Sequence, residues 1–206
     1  MAHAARQLSA VAYGEYGAKT MDRGRNPAAR RERARARSEG RSTAIVDSLF
    51  VKSSFGGEGC AVSGLKRAKG LGIHAAIDKY RNILALHVWP GSTADAHAAH
   101  WLISEVKEAH PNITCILGDK AYSGQPLETL AERLGLFLDA SSPALPKGKT
   151  FDPMPIRWRI EQFFSWLVKW RRIARVWAYG LRGFAMDVMW SAFGLQLRRC
   201  AKGDAV

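Results

Sequence analysis

At 206 residues and 47% hydrophobic content, the chain is long enough for one full domain with its own core plus an extension. A formal net charge of +13 and a pI near 10.1, carried together with seven tryptophans, rule out a purely disordered polycation and favour a polyanionic partner, nucleic acid first among them. The three cysteines, Cys60, Cys115 and Cys200, are far apart and form no CxxC pair, which argues against a disulfide framework and a structural zinc site.

Residues 1–42 hold ten Lys or Arg against four acids and carry no apolar stripe, so they are expected to be a disordered basic extension, or helical only on phosphate. The texture changes at Thr43. Ala44, Ile45 and Val46 lead to Asp47, and Ser48 to Val51 continue the run, which reads as a buried strand with a carboxylate near its middle. An acid there is costly unless something positive meets it; the alternative is an aspartate capping a turn. Residues 53–72, rich in glycine and with the basic trio Lys66, Arg67 and Lys69, read as a flexible hairpin connection and match no nucleotide-binding loop.

Gly72 to Asp78 and Ile83 to Trp89 predict an antiparallel pair, and Pro90 and Gly91 end it. Ser92 or Thr93 is then expected to cap a helix over Ala94 to Ala109. His97 and His100 on that helix have no third partner at metal-like spacing. Asn112 to Leu117 predicts a strand ending at Gly118, Asp119 and Lys120. A helix over Gln125 to Leu134 and a strand over Leu136 to Leu138 follow, and Ala140 to Pro155 reads as a proline-rich loop.

Pro155 to Arg175 predicts one helix, with Ile156, Ile160, Phe163, Leu167, Trp170 and Ala174 as its buried stripe. Its only acid is Glu161. On an uninterrupted helix Arg157, Arg172 and Arg175 fall within about 40° of that acid, around a face that is either a site or an ordinary solvated i, i+4 pair. A last helix over about Leu181 to Cys200 is too short and too amphipathic to span a bilayer, and residues 201–206 form a tail. No apolar run is long enough for a membrane span, and no secretion signal is visible, so the expected location is the cytoplasm.

The order of elements is that of an α/β, ribonuclease-H-like mixed sheet over residues 43–200, three antiparallel strands extended by parallel ones reached through flanking helices. Asp47, Asp119 and Glu161 could converge at one edge of such a sheet. Three carboxylates there suit two magnesium ions, since hard cations take oxygen ligands.

The segments AIVDSLFVKSS, LGDKAYSG and RWRIEQFFSWLVKWRRIAR, with PGSTAD between the first two of these blocks and in order, resemble the DDE transposases of bacterial insertion sequences, the insertion-sequence-five group in particular. The resemblance covers residues 43–180. It implies a Mg2+-dependent enzyme, with Mn2+ as substitute, that cuts DNA at transposon ends and joins the 3′ hydroxyl to target DNA. It implies Asp47, Asp119 and Glu161 as catalytic and metal-binding residues, and Arg157 as the arginine of the group's Tyr-Arg-Glu-Lys signature. Met154 stands at the tyrosine position and Val168 at the lysine position, with Lys169 one residue later. Lys169, Arg171, Arg172, Arg175, Lys66, Arg67 and Lys69 are the further DNA-binding candidates. The partners expected are terminal repeats, target DNA, a second copy of the chain or an upstream-frame transposase product, in a nucleoid-associated setting and without a membrane. Residues 1–42 lack the group's helical DNA-binding region, so the expectation is a catalytic half. The alternatives are a ribonuclease-H-like nuclease and a non-enzymatic DNA-binding remnant.

Overall fold

A six-stranded mixed sheet forms the centre of the molecule. The computed structural model describes residues 42–140, 157–169, 172–177 and 180–202; the expectations for the basic extension and the proline-rich loop, and the candidate Arg171, lie outside these. Strand β1, Thr43–Lys52, is central. It pairs antiparallel with β3, Ala68–Asp78, and parallel with β5, Cys115–Leu117, which pairs parallel with β6, Phe137–Asp139. The far edge of β3 is shared by β2, Ala61–Ser63, and β4, Ile83–Pro90, both antiparallel. Antiparallel strands extended by parallel ones are the ribonuclease-H-like arrangement that the element order predicts.

Alternation along β1 feeds two cores. Ala44 and Val46 point to the face covered by helices α1, Asp95–Ala109, and α2, Gln125–Arg133; Ile45 and Val51 point to the face covered by α3, Trp158–Leu167, and α4, Gly180–Ala201. Fully buried Ile45, Ile73, Ile77 and Leu167 on the second face each contribute about 1.5 to 3 kcal/mol by leaving water.

The hairpin expected over 53–72 is present, with strand pairing at its base. β2 and the first residues of β3 lie within it, because Gly70 allows β1 and β3 to approach closely: a Cβ there would sit 2.2 Å from the Val51 carbonyl oxygen. Nor do Ser92 and Thr93 cap α1. Its N-cap is Ala94, with no side-chain bond, and Asp95 supplies the negative charge of the first turn.

The helix expected over 155–175 stops at Leu167. Ile160, Phe163 and Leu167 are buried as the stripe requires, yet Ala174, expected on that stripe, is exposed. Ile173 and Val176 are drawn into the core instead, and Val176 bridges Ser53 in parallel. Backbone pairing to the sheet outweighs the modest helical propensity of this stretch. Arg172 and Arg175 therefore do not share a helix face with Glu161.

On α4, Phe184 and Val188 are buried, whereas Phe193 and Leu197 lie with Met186, Met189 and Trp190 on an exposed outer face. All three cysteines are free, and no helix among the described residues is long and apolar enough to cross a membrane.

Candidate functional site

Asp47 sits mid-strand on β1 opposite Ala75, half-buried, with one carboxylate oxygen accepting the Ser48 backbone N–H at 2.8 Å. It lines a cleft of about 290 Å³ together with Ser48, Leu49, Glu161, Phe164, Ser165 and Val168. Burial raises the Asp47 pKa from 3.8 to about 6; the Ser48 N–H opposes the shift, Asp119 adds to it, Arg157 opposes it and Asp95 adds a smaller push. One desolvated carboxylate thus lies within the fields of two further acids and one arginine, and shares a cleft with Glu161.

Glu161 is presented outward from the first turn of α3. That helix is held by Ile160, Phe163, Phe164 and Leu167 in the core and by Arg81 of the β3–β4 turn. The Arg81 guanidinium donates to Gln162 Oε1 at 2.6 Å and lies 5.1 Å over the Trp166 ring, while Arg159 donates to the Lys79 carbonyl oxygen. Arg157 stands at the helix N-cap, half-buried. The ion pairs among the described residues do not include Arg157 with Glu161; the charge Arg157 acts on is that of Asp47.

Asp119 follows β5 and caps a 3-10 turn, Lys120–Tyr122, its Oδ1 accepting the Ala121 N–H at 2.8 Å. The turn is anchored by Tyr122, 1% exposed, whose ring packs in the α1 core. Gly118 makes room for that ring, since a Cβ would lie 2.8 Å from the Tyr122 Cβ and 3.0 Å from its Cγ. Gly118→Ala is therefore expected to cost about 1 to 2 kcal/mol in urea unfolding and to displace Asp119. Stability equal to that of the wild type would mean that the anchor is not tight.

The opposite face of the sheet carries polar groups that the sequence reading did not assign. Ser48, His74 and His87 are successive cross-strand partners on one face. His74 is 2% exposed, its Nδ1 is 3.7 Å from Asp95 Oδ1, and burial lowers its pKa from 6.5 to about 4. The buried Tyr122 hydroxyl is raised in pKa first by burial and then by Asp47, Asp95 and Asp119, with the Ser48 side chain opposing the shift. Asp95 and Tyr122 stand inside the blocks PGSTAD and LGDKAYSG; only the fold brings them within electrostatic range of Asp47, across the sheet.

The remaining candidates disperse. Lys169 is exposed just past α3, beside cleft-lining Val168. Arg172 pairs with Asp187 of α4 at 3.3 Å, Arg175 donates to Ser54 Oγ at 3.3 Å, and Lys66, Arg67 and Lys69 are exposed on the β2–β3 hairpin. Among the described residues no three His, Cys, Asp or Glu side chains are gathered tightly enough to hold a metal ion. Asp47 is related pairwise to Glu161 and to Asp119, but the three do not close a cage.

No family model matches the chain, and no curated protein sequence does. Solved structures do match. The catalytic core domain of the BIV integrase aligns over 76% of this chain and 84% of its own, at 11% identity and a TM-score of 0.49. A chain of the simian T-cell lymphotropic virus intasome, solved in complex with PP2A regulatory subunit B56 gamma, aligns over 75% of this chain at 10% identity and a TM-score of 0.50. The present chain spans 48% of that longer one. At 10% identity the likeness to the intasome chain speaks for the fold alone, and it agrees with the mixed sheet topology expected of a ribonuclease-H-like domain.

Proposed function

We propose that this chain is the catalytic domain of a DDE transposase of the bacterial insertion-sequence-five kind, cutting DNA at element ends and joining it to a target. The observation that carries the reading is the setting of Asp47. Its carboxylate shares a cleft with Glu161, feels Asp119, and belongs to the same three sequence blocks that resemble that group. Integrase structures with the same fold give it support at the level of the reaction class.

The donors are all carboxylate oxygens, and Asp47, desolvated and pushed up by neighbouring acids, is a group whose charge a divalent cation would stabilise. Asp47 and Asp119 would hold magnesium, or manganese in its place, with Glu161 completing the set from across the cleft. When bound, the metal supplies Lewis-acid charge at phosphoryl oxygens and lowers the pKa of bound water. In cleavage a water oxygen forms a bond to the scissile phosphorus, and the 3′ oxygen leaves with the bonding pair. In joining, that 3′ hydroxyl attacks a target phosphorus and displaces a second 3′ oxygen. Arg157, whose charge acts on Asp47, and Lys169, beside cleft-lining Val168, can hold backbone phosphates, while the hairpin cations Lys66, Arg67 and Lys69 contact DNA further along. Terminal repeats, target DNA, a second copy or a companion transposase product are the partners of such a reaction, in the nucleoid.

The open spacing of the acids favours a second reading, a DNA-binding remnant without catalysis. Nicking of supercoiled plasmid by the full chain with Mg2+ or Mn2+ separates the two: accumulation of nicked circles supports the enzyme, and binding without nicking supports the remnant. Joining of a pre-cut element end to a target plasmid then separates the transposase from a nuclease.

A further inference from the structure

The loop after β1 and the segment after α3 meet on the surface at a pair of exposed rings. Val176 donates its N–H to the Lys52 carbonyl at 2.9 Å, and the Ser54 N–H donates to the Val176 carbonyl at 3.0 Å. That two-bond ladder sets the residues that follow, Phe55 and Trp177, side by side, with ring centroids 6.4 Å apart and planes tilted by 39°. Phe55 is 76% exposed and Trp177 44%. Large apolar rings in water are unfavourable, and scattered ones need no explanation, but these two are held side by side by the backbone ladder beneath them.

The support is rigid. Ser53 Oγ donates to the Gly56 carbonyl and accepts the Gly56 N–H, each at 2.8 Å, Gly56 adopts φ of +82°, and the Leu181 N–H donates to the Glu58 carbonyl at 2.8 Å. Cations surround it. The Lys69 ammonium lies 3.3 Å from where a Gly56 Cβ would stand, Arg175 is bonded to Ser54, and Lys52 is exposed at the strand end. Glu58 is the one acid of the loop. Helical periodicity had assigned Arg175 to the face of Glu161, and the structure gives it to this platform instead.

We infer that Phe55 and Trp177 form a stacking platform for unpaired nucleobases, with Lys52, Lys69 and Arg175 holding the adjoining phosphates. Every base has a π-face, so rings of this kind bind single strands with little regard to sequence, while the cations supply the salt-dependent part. Ser53, at the base of the platform, follows Asp47 by six residues of extended chain, roughly 20 Å, or about six nucleotide steps of a duplex strand. The inference rests on the nucleic-acid part of the proposed function, not on its chemistry.

The test uses the full chain in chelator, where no cleavage can occur, and fluorescence anisotropy of three labelled probes: a single strand of about 15 thymidines, an abasic strand of the same length, and a blunt duplex. The wild type should bind the thymidine strand about tenfold more tightly than the abasic one. Phe55→Ala and Trp177→Ala should lose that difference and keep their duplex affinity within about twofold, with Trp177→Phe restoring most of it. Equal wild-type affinity for the thymidine and abasic strands would overturn the inference without any variant, as would variants that weaken all three probes alike. Asp119→Ala should retain full discrimination, so an inactive triad and an absent platform give different results.

Discussion

Asp119→Ala is expected to abolish metal-dependent nicking, and Asp47→Ala and Glu161→Ala to do the same, with DNA affinity unchanged or higher. Removing a carboxylate from such a set forfeits several kcal/mol of charge stabilisation on the phosphoryl oxygens, and about 1.4 kcal/mol is a factor of ten, so the loss should reach about a thousandfold. Affinity should not fall, because each change deletes a negative charge close to a polyanion. Asp119 is the most exacting of the three, since its Oδ1 also caps the 3-10 turn; Asp119→Asn keeps the cap and should still be inactive. Normal nicking by a folded Asp119→Ala protein would show that the triad is wrongly assigned. Circular dichroism of the same samples separates loss of chemistry from loss of fold.

Asp47→Asn should make the metal-free protein more stable at neutral pH. The folded state holds the Asp47 carboxyl at about 6 against 3.8 for the free group, so between those values the folded chain binds more protons than the unfolded one. Stability attributable to this group therefore falls as pH rises from about 4 to about 6 and stays lower above that. A raised pKa of this size corresponds to up to about 3 kcal/mol, which asparagine should recover at pH 7 and not at pH 4. His74 has the opposite sign: held near 4 against an ordinary 6.5, it contributes stability that is full above 6.5 and lost as pH falls toward 4. The two slopes overlap in the wild type, so in Asp47→Asn the His74 slope should stand alone, with urea midpoints rising from pH 4 to 6.5. Magnesium should raise wild-type stability at pH 7 and leave Asp47→Asn unmoved. An Asp47→Asn protein less stable than wild type at pH 7 would mean that the carboxylate already has a sufficient partner in the metal-free fold.

Much of the fold was legible because it is written in local pattern. The apolar runs on either side of Asp47 mark β1, the Pro90–Gly91 break marks the end of β4, and helix start and stop signals mark α1 and α4 to within a residue or two. The elements that carry Asp47, Asp119 and Glu161 are a strand, a turn after a strand and a helix, as their neighbours in sequence dictate. Local pattern misleads where distant chain competes for the same atoms. Gly70 reads as loop because its value, letting the Val51 carbonyl come close, lies in another strand. The stripe through Phe163 and Leu167 continues in sequence to Ala174, but Val176 finds a backbone partner in Ser53, so the helix ends and Arg172 and Arg175 leave Glu161 for Asp187 and Ser54. Asp95, His74 and Tyr122 gave no signal of their own, since an acid, a histidine and a tyrosine gain meaning only when packing brings them near one another under β1. The sequence by itself determined most of the strands and helices, and the buried residues of β1 and of α3 as far as Leu167, because those choices depend on residues two to four positions apart. Which charges meet, and which rings are left exposed together, was decided by tertiary structure, because electrostatics and stacking depend on distances in space that no spacing along the chain encodes.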